Sequence, residues 1–211
     1  MKKGIFWSVA IAGTMVFASC GGGEGEEEVV DETPVEICFY TYNNGSSEFS
    51  WTAYKTSAKV GVGGTFNEIE ITGDESSDDP IALLESMEFS MKTASVETNN
   101  EERNGKIASL FFGTINTPTI DGSVKELNDS GKAIIEVTMN GVSVDIEGDY
   151  TLVEGKFDFN ASIDVSSWNA GVGIETLNTA CYDLHTGDDG VSKLWSEVTL
   201  AFSTQLKSDC D

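Results

Sequence analysis

The sequence predicts an all-β chain: an eight-stranded, antiparallel, up-and-down barrel with one or two short helices. Three observations carry this. Apolar and polar residues alternate over long stretches, the period-two mark of a strand with one buried face. Turn pairs separate successive alternations, as at Asn140-Gly141 and Glu154-Gly155, and Asn-Gly accepts the positive φ angles of a two-residue hairpin. Glycine is abundant (22) and proline scarce (3) among 211 residues, and no strand–helix–strand order of the kind that builds parallel sheets occurs.

The folded part runs in order as follows. Residues 48–55 form the first strand, with Phe49, Trp51 and Ala53 on one face. The second spans 60–72. Val60, Val62, Gly64 and Phe66 set one phase, and Ile69 and Ile71 the other, so a bulge is expected near Asn67-Glu68. An acidic loop at 73–80 precedes a third strand at 83–94, with Leu83, Met87, Phe89, Met91 and Thr93 on one face. Ile107, Leu110 and Phe111 have helical spacing. Residues 115–126 form the fourth strand. The meander at 131–165 supplies three more: Ala133, Ile135, Val137 and Met139; then Val142, Val144, Ile146, Tyr150 and Leu152; then Phe157, Phe159, Ala161, Ile163 and Val165. Residues 168–183 read as irregular or partly helical, and 193–206 as the last strand. Closing such a sheet removes its exposed edges. Eight strands leave room either for packed side chains or for one small ligand.

The net charge of −24 excludes nucleic acid as a partner, because phosphates would be repelled. It also excludes docking on an anionic membrane through a basic patch. The acidic runs Asp74-Glu75-Ser76-Ser77-Asp78-Asp79 and Asp188-Asp189-Gly190 lack EF-hand spacing. No paired-histidine or Cys-x-x-Cys motif points to a metal, and no resident cofactor is expected. The only histidine, His185, lies beside a glycine-rich turn and reads as a solvated loop residue. The only arginine, Arg103, reads as one partner of a surface ion pair or as a head-group anchor. There is no Gly-x-Ser-x-Gly nucleophile elbow, and the reading is non-enzymatic.

The N-terminus resembles a bacterial lipoprotein signal peptide over residues 1–19. Met1-Lys2-Lys3 is basic, an apolar stretch too short to span a membrane follows, and small residues precede Cys20. The resemblance implies cleavage before Cys20 and acylation of that residue, palmitate among the chains. Residues 20–45 then read as an acidic flexible tether, and 46–211 as the barrel domain. Gly21 and the acidic run resemble lipoproteins of the Bacteroidota outer membrane. The expected location is therefore the outer membrane, lipid-anchored and facing the periplasm or the cell surface.

Three cysteines remain. Cys38 precedes the first strand and Cys210 follows the last. If those strands pair to close a barrel, both cysteines lie at one end. Cys38–Cys210 is the expected disulfide, with Cys38–Cys181 as the rival.

Several pieces together resemble the YceI-like family of lipid- and polyisoprenoid-binding, lipocalin-like envelope proteins. They are Trp51 with Lys55; Val62-Gly63-Gly64-Thr65-Phe66; Ala94-Ser95-Val96-Glu97-Thr98-Asn99 with Arg103; Ile107-Ala108-Ser109-Leu110-Phe111-Phe112; Thr138-Met139-Asn140-Gly141-Val142-Ser143; and Leu194-Trp195-Ser196-Glu197-Val198-Thr199-Leu200. The sequence departs from the family where a histidine often follows the first-strand tryptophan, where an arginine-aspartate pair often precedes the double phenylalanine, and where an arginine opens the late loop. Here Tyr54-Lys55-Thr56, Arg103-Asn104 and Ser166-Ser167-Trp168-Asn169 stand instead.

The resemblance implies non-catalytic binding, transport or storage of a long apolar ligand, such as a polyisoprenoid, quinone or lipid, inside the barrel. The expected lining is Trp51, Phe66, Met87, Phe89, Met91, Phe111, Met139, Val144, Ile146, Phe157, Phe159 and Phe202, with Phe112 and Trp168 closing the mouth. The alternative is a filled barrel acting as an interaction module. An enzyme using the barrel as a reaction chamber is the third reading. The implied partners are the hydrophobic small molecule and, through Cys20, the membrane.

Overall fold

The turn pairs do what their residue types allow. Asn140 and Gly141 both have positive φ (52° and 68°), as do Glu154 and Gly155 (52° and 73°), and each pair reverses the chain in two residues. Around them a computed structural model describes residues 37–210. The expected signal peptide at 1–19, Cys20 and the first part of the expected tether, to residue 36, lie outside the described residues. Folded structure begins before the expected boundary at residue 46. The strand β1 (Tyr40–Thr41) and a 3₁₀ turn at Asn44–Ser46 already belong to the domain.

The strands that follow are β2 (Glu48–Lys55), β3 (Val60–Phe66) and β4 (Ile69–Thr72). The helix α1 (Pro80–Glu85) leads into β5 (Glu88–Lys92) and β6 (Val96–Glu97). Next come α2 (Glu101–Lys106), a π-helical segment (Ile107–Phe112), β7 (Thr119–Leu127), β8 (Lys132–Met139), β9 (Val142–Val153) and β10 (Lys156–Asp164). A 3₁₀ turn (Val165–Trp168), α3 (Gly171–Ala180) and α4 (Tyr182–His185) precede β11 (Leu194–Gln205) and β12 (Lys207–Ser208).

The main sheet has ten strands in the order β4-β5-β7-β8-β9-β10-β11-β2-β3-β6, and every pairing is antiparallel. A separate ribbon pairs β1 with β12. The count is therefore twelve strands, not eight. The β1–β12 ribbon supplies two of the four additional strands, and two interruptions supply the others. The expected bulge at Asn67-Glu68 divides 60–72 into β3 and β4. A 3₁₀ turn at Thr93–Ser95 divides the next strand into β5 and β6. The two breaks face each other. Asn67 N–H donates to the Ser95 carbonyl (2.9 Å), and Lys92 N–H to that of Glu68 (3.0 Å). Both ends of the ten-strand order thus belong to one interrupted ladder, and the curled sheet meets itself along this seam.

Helices are more numerous than expected. The residues read as the start of a strand at 83 lie instead in α1. Asp79 Oδ1 accepts the Ile81 N–H (2.8 Å) and Pro80 occupies the first turn, a helix-start signal that outranks the local alternation. Leu83 and Leu84, each 1% exposed, turn the helix against the core at one end of the sheet. The segments 101–112 and 165–185 cover the other end. There the Trp168 indole donates to the Val137 carbonyl (2.9 Å), and the Asn140 side chain donates to the Trp168 carbonyl (2.9 Å).

Cys38 and Cys210 form the disulfide, their Cα atoms 5.4 Å apart, and Cys181 is a buried free thiol. The bond locks the β1–β12 ribbon at the α1 end and closes a loop with a sequence separation of 172. Loops of this length constrain the unfolded chain strongly. Replacing both cysteines with serine is expected to lower stability by about 2–5 kcal/mol. Urea denaturation would show this, and a reducing agent would destabilise the wild type while leaving the variant's midpoint unchanged.

Candidate functional site

The alternation places one apolar face of every long strand inward, yet the interior is not filled. It holds a cavity of about 820 Å³, within the range of roughly 300–1,000 Å³ typical of small-molecule sites. A filled barrel is therefore not the structure this chain adopts. Thirteen of the fourteen residues expected from sequence border the cavity: Trp51, Phe66, Met87, Phe89, Met91, Phe111, Phe112, Met139, Ile146, Phe157, Phe159, Trp168 and Phe202. Val144 does not. It faces the same side as its partner Val137 but packs into the core beside the cavity.

The rings leave space because they lie against glycine. A Cβ on Gly122 would meet Phe89 Cζ at 2.2 Å, one on Gly148 would meet Phe159 Cε2 at 2.3 Å, and one on Gly64 would meet Trp51 Cζ2 at 2.4 Å. Gly122 is the cross-strand partner of Phe89, and Gly64 that of Trp51. Each large ring thus occupies the volume a neighbouring side chain would otherwise take, flat on the wall and out of the lumen. Other rings brace one another along the wall. Phe157 sits 5.7 Å from Tyr150 and 6.2 Å from Phe202, and Phe111 meets Phe112 edge-on at 4.9 Å. The buried Trp51 indole N–H has no hydrogen-bond partner among the described residues.

Phe112 and Trp168 do not stand at an entrance. They are 7% and 1% exposed, under the helical cover. Exposed residues border the cavity in several places: Leu184 of α4, 60% exposed, and also Asn67, Glu88, Asn100 and Glu102. Asn100, Glu102, Arg103 and Lys106 border it from α2 and its N-cap, and Tyr54, Lys55, His185 and Trp195 border it nearby. Apolar alternation could not reveal these polar residues. Of them the sequence singled out Arg103, as the only arginine, and His185, as the only histidine.

His185 is buried, not solvated. Its Nδ1 lies 2.9 Å from Asn178 Oδ1. Burial, with the Lys55 charge beside it, holds the imidazole below its usual range. Arg103 makes no ion pair among the described residues. Its Nε donates to Thr98 Oγ1 (2.9 Å) and its Nη2 to the Thr98 carbonyl (3.1 Å). Among the described residues no group of three or more His, Cys, Asp and Glu could hold a metal ion.

The YceI-like domain family matches residues 40–206. The chain belongs to the YceI-like domain family. Two solved structures are similar to this YceI-like chain. BcnA of Burkholderia cenocepacia aligns over 78% of this chain and 98% of its own, with a TM-score of 0.54 and 18% identity. A polyisoprenoid-binding domain from Saccharophagus degradans, implicated in plant cell wall breakdown, aligns over 80% and 98%, with a TM-score of 0.53 and 14% identity. At these identities the likeness establishes the lipocalin-like all-β fold. No curated protein matches the chain in sequence.

The glycine contacts lead to a test. Gly122→Ala drives a methyl into both Phe89 and the Glu136 carbonyl, 2.4 Å away. The substitution is expected to cost about 1–3 kcal/mol. Gly105→Ala, with nothing within 4 Å, is expected to be neutral or stabilising by up to about 1 kcal/mol. Chemical denaturation of the two variants side by side distinguishes them.

Proposed function

We propose that this YceI-like domain binds a long apolar ligand without catalysis, and carries or stores it in the bacterial envelope. The ligand class is a polyisoprenoid, a quinone or another lipid tail. The observation that carries the reading is the cavity of about 820 Å³ walled by Phe, Met, Ile and Trp side chains. The Saccharophagus degradans domain, which shares the fold, is a polyisoprenoid-binding one and points the same way. The energetics are sufficient. Each buried methylene contributes roughly 0.8 kcal/mol, so about 15 buried carbons give roughly 12 kcal/mol gross, before the ordering costs of association. Met87, Met91 and Met139 suit a wall that adapts to tail shape, because thioethers adjust at low cost.

Mass spectrometry of an organic extract from protein purified under native conditions tests this. A stoichiometric apolar compound is expected. An extract without one, together with no uptake of added polyisoprenol or quinone, overturns the reading.

We further propose that acylated Cys20 holds the domain to the outer membrane, facing the periplasm or the cell surface. The support is the signal-like residues 1–19 and the acidic segment that follows. More than one acyl chain is needed for a stable anchor. Cys20→Ser is expected to move the protein from the membrane to the soluble fraction of cells. A variant that stays with the membrane counts against the anchor.

A further inference from the structure

The helix α2 covers part of an apolar cavity without one apolar side chain of its own. Its residues are Glu101, Glu102, Arg103, Asn104, Gly105 and Lys106. Glu102, Arg103, Lys106 and the N-cap Asn100 border the cavity, and Asn100 and Glu102 are also exposed to solvent. Of the four described α-helices, α2 alone buries no residue. Leu83 and Leu84 seat α1, Leu177 seats α3 and His185 seats α4. Apolar burial, which supplies most of what holds a helix in a fold, does not seat α2.

Polar contacts do not tie it across the barrel either. Among the described residues, the hydrogen bonds of 98–106 stay within the stretch 97–109. None reaches α3, α4 or any strand but β6. Within that stretch the helix is well made. Asn100 Oδ1 accepts the Arg103 N–H (2.9 Å), two glutamates occupy the first turn, and Glu102 pairs with Lys106 four residues on (2.6 Å). It is a self-contained unit, able to move as a body.

Both flanks allow that motion. Asn99 has φ of 57°, the left-handed conformation that asparagine tolerates. At Gly105 an added Cβ would meet nothing within 4 Å. The chain then passes into the π-helical segment Ile107–Phe112, a form frequent at functional sites. Beyond the flanks the chain is fixed, by Thr98 (5% exposed) on one side and by buried Phe111 and Phe112 on the other.

We propose that α2 is a lid, hinged at Asn99 and at Gly105–Ile107, and that apolar ligands enter and leave the cavity beneath it. The ligand class rests on the reading of the cavity as an apolar-ligand site. Thr98 is the latch. Its N–H (2.9 Å) and Oγ1 (2.6 Å) donate to Asn104 Oδ1, while Oγ1 accepts from Arg103 Nε (2.9 Å) and its carbonyl from Arg103 Nη2 (3.1 Å). Opening exchanges these bonds for bonds to water, at small net cost for each, and uncovers no apolar side chain of the helix itself.

The test is kinetic. Thr98→Val keeps the side-chain volume and removes the Oγ1 links. Stopped-flow fluorescence with the neutral dye N-phenyl-1-naphthylamine gives rates of uptake and release. Both are expected to rise about fivefold, the shift that loss of one net hydrogen bond corresponds to, while the affinity changes by less than about twofold. A lid sets both rates, whereas a wall contact acts on release. Thr204→Val removes another buried hydroxyl, bonded by Ser47 (2.8 Å) near the end of β11, and is expected to leave both rates unchanged. Circular dichroism checks folding. Should Thr98→Val unfold, amide exchange in the wild type decides. The Thr98 N–H, whose partner is on α2, is expected to exchange at least about tenfold faster than the Ile174 N–H, held by the Ala170 carbonyl in α3. Unchanged rates in folded Thr98→Val, a change in release alone, equal acceleration by Thr204→Val, or equal exchange of the two amides overturns the lid and leaves the apolar site standing. Failure of the dye, polyisoprenol and quinone all to bind overturns the apolar site itself.

Discussion

The contact between large rings and strand glycines is the constraint on which the hollow interior depends. Phe89 lies on Gly122, Phe159 on Gly148 and Trp51 on Gly64. In each case the backbone of one strand serves as the floor for a ring from another. Without these glycines the same rings would project into the lumen, and burial of apolar area alone would favour a solid core. The glycines weaken their strands locally, and the aromatic face laid on each one supplies the lost packing.

The remaining architecture frames that hollow. The antiparallel ladder curls until its ends meet at the facing interruptions at Asn67-Glu68 and Thr93–Ser95. One end is sealed by α1 and the disulfide-locked ribbon. The other is roofed by the helical segments, with Trp168 bonded to the sheet from above. Most of the lining is apolar, and Lys55, Arg103, Lys106, Glu88 and Glu102 are its charged members.

Much of this is legible in the amino-acid sequence alone. Period-two alternation named most of the wall that strands supply, because strand side chains point alternately inward and outward wherever the strand lies, but not the part that helical segments supply, such as Leu84, Ile174 and Leu177. The Asn140-Gly141 and Glu154-Gly155 turns set the meander, since positive φ is a property of the turn residues themselves. The cysteine placement indicated the bond between Cys38 and Cys210. The start of α1 was also written locally, in Asp79-Pro80, and was obscured only by the alternation that overlaps it.

What composition and period could not reach depends on residues far apart in the chain. Val144 shares the alternation of its neighbours but falls outside the cavity, because the curvature of the sheet decides which inward residues border space. His185 is buried because α3 and α4 fold over the sheet, and a turn-rich flank gave no sign of that. Lys55 and Arg103 look like ordinary surface cations in sequence. That both border the cavity is decided by tertiary packing, since charge has no periodicity in the sequence.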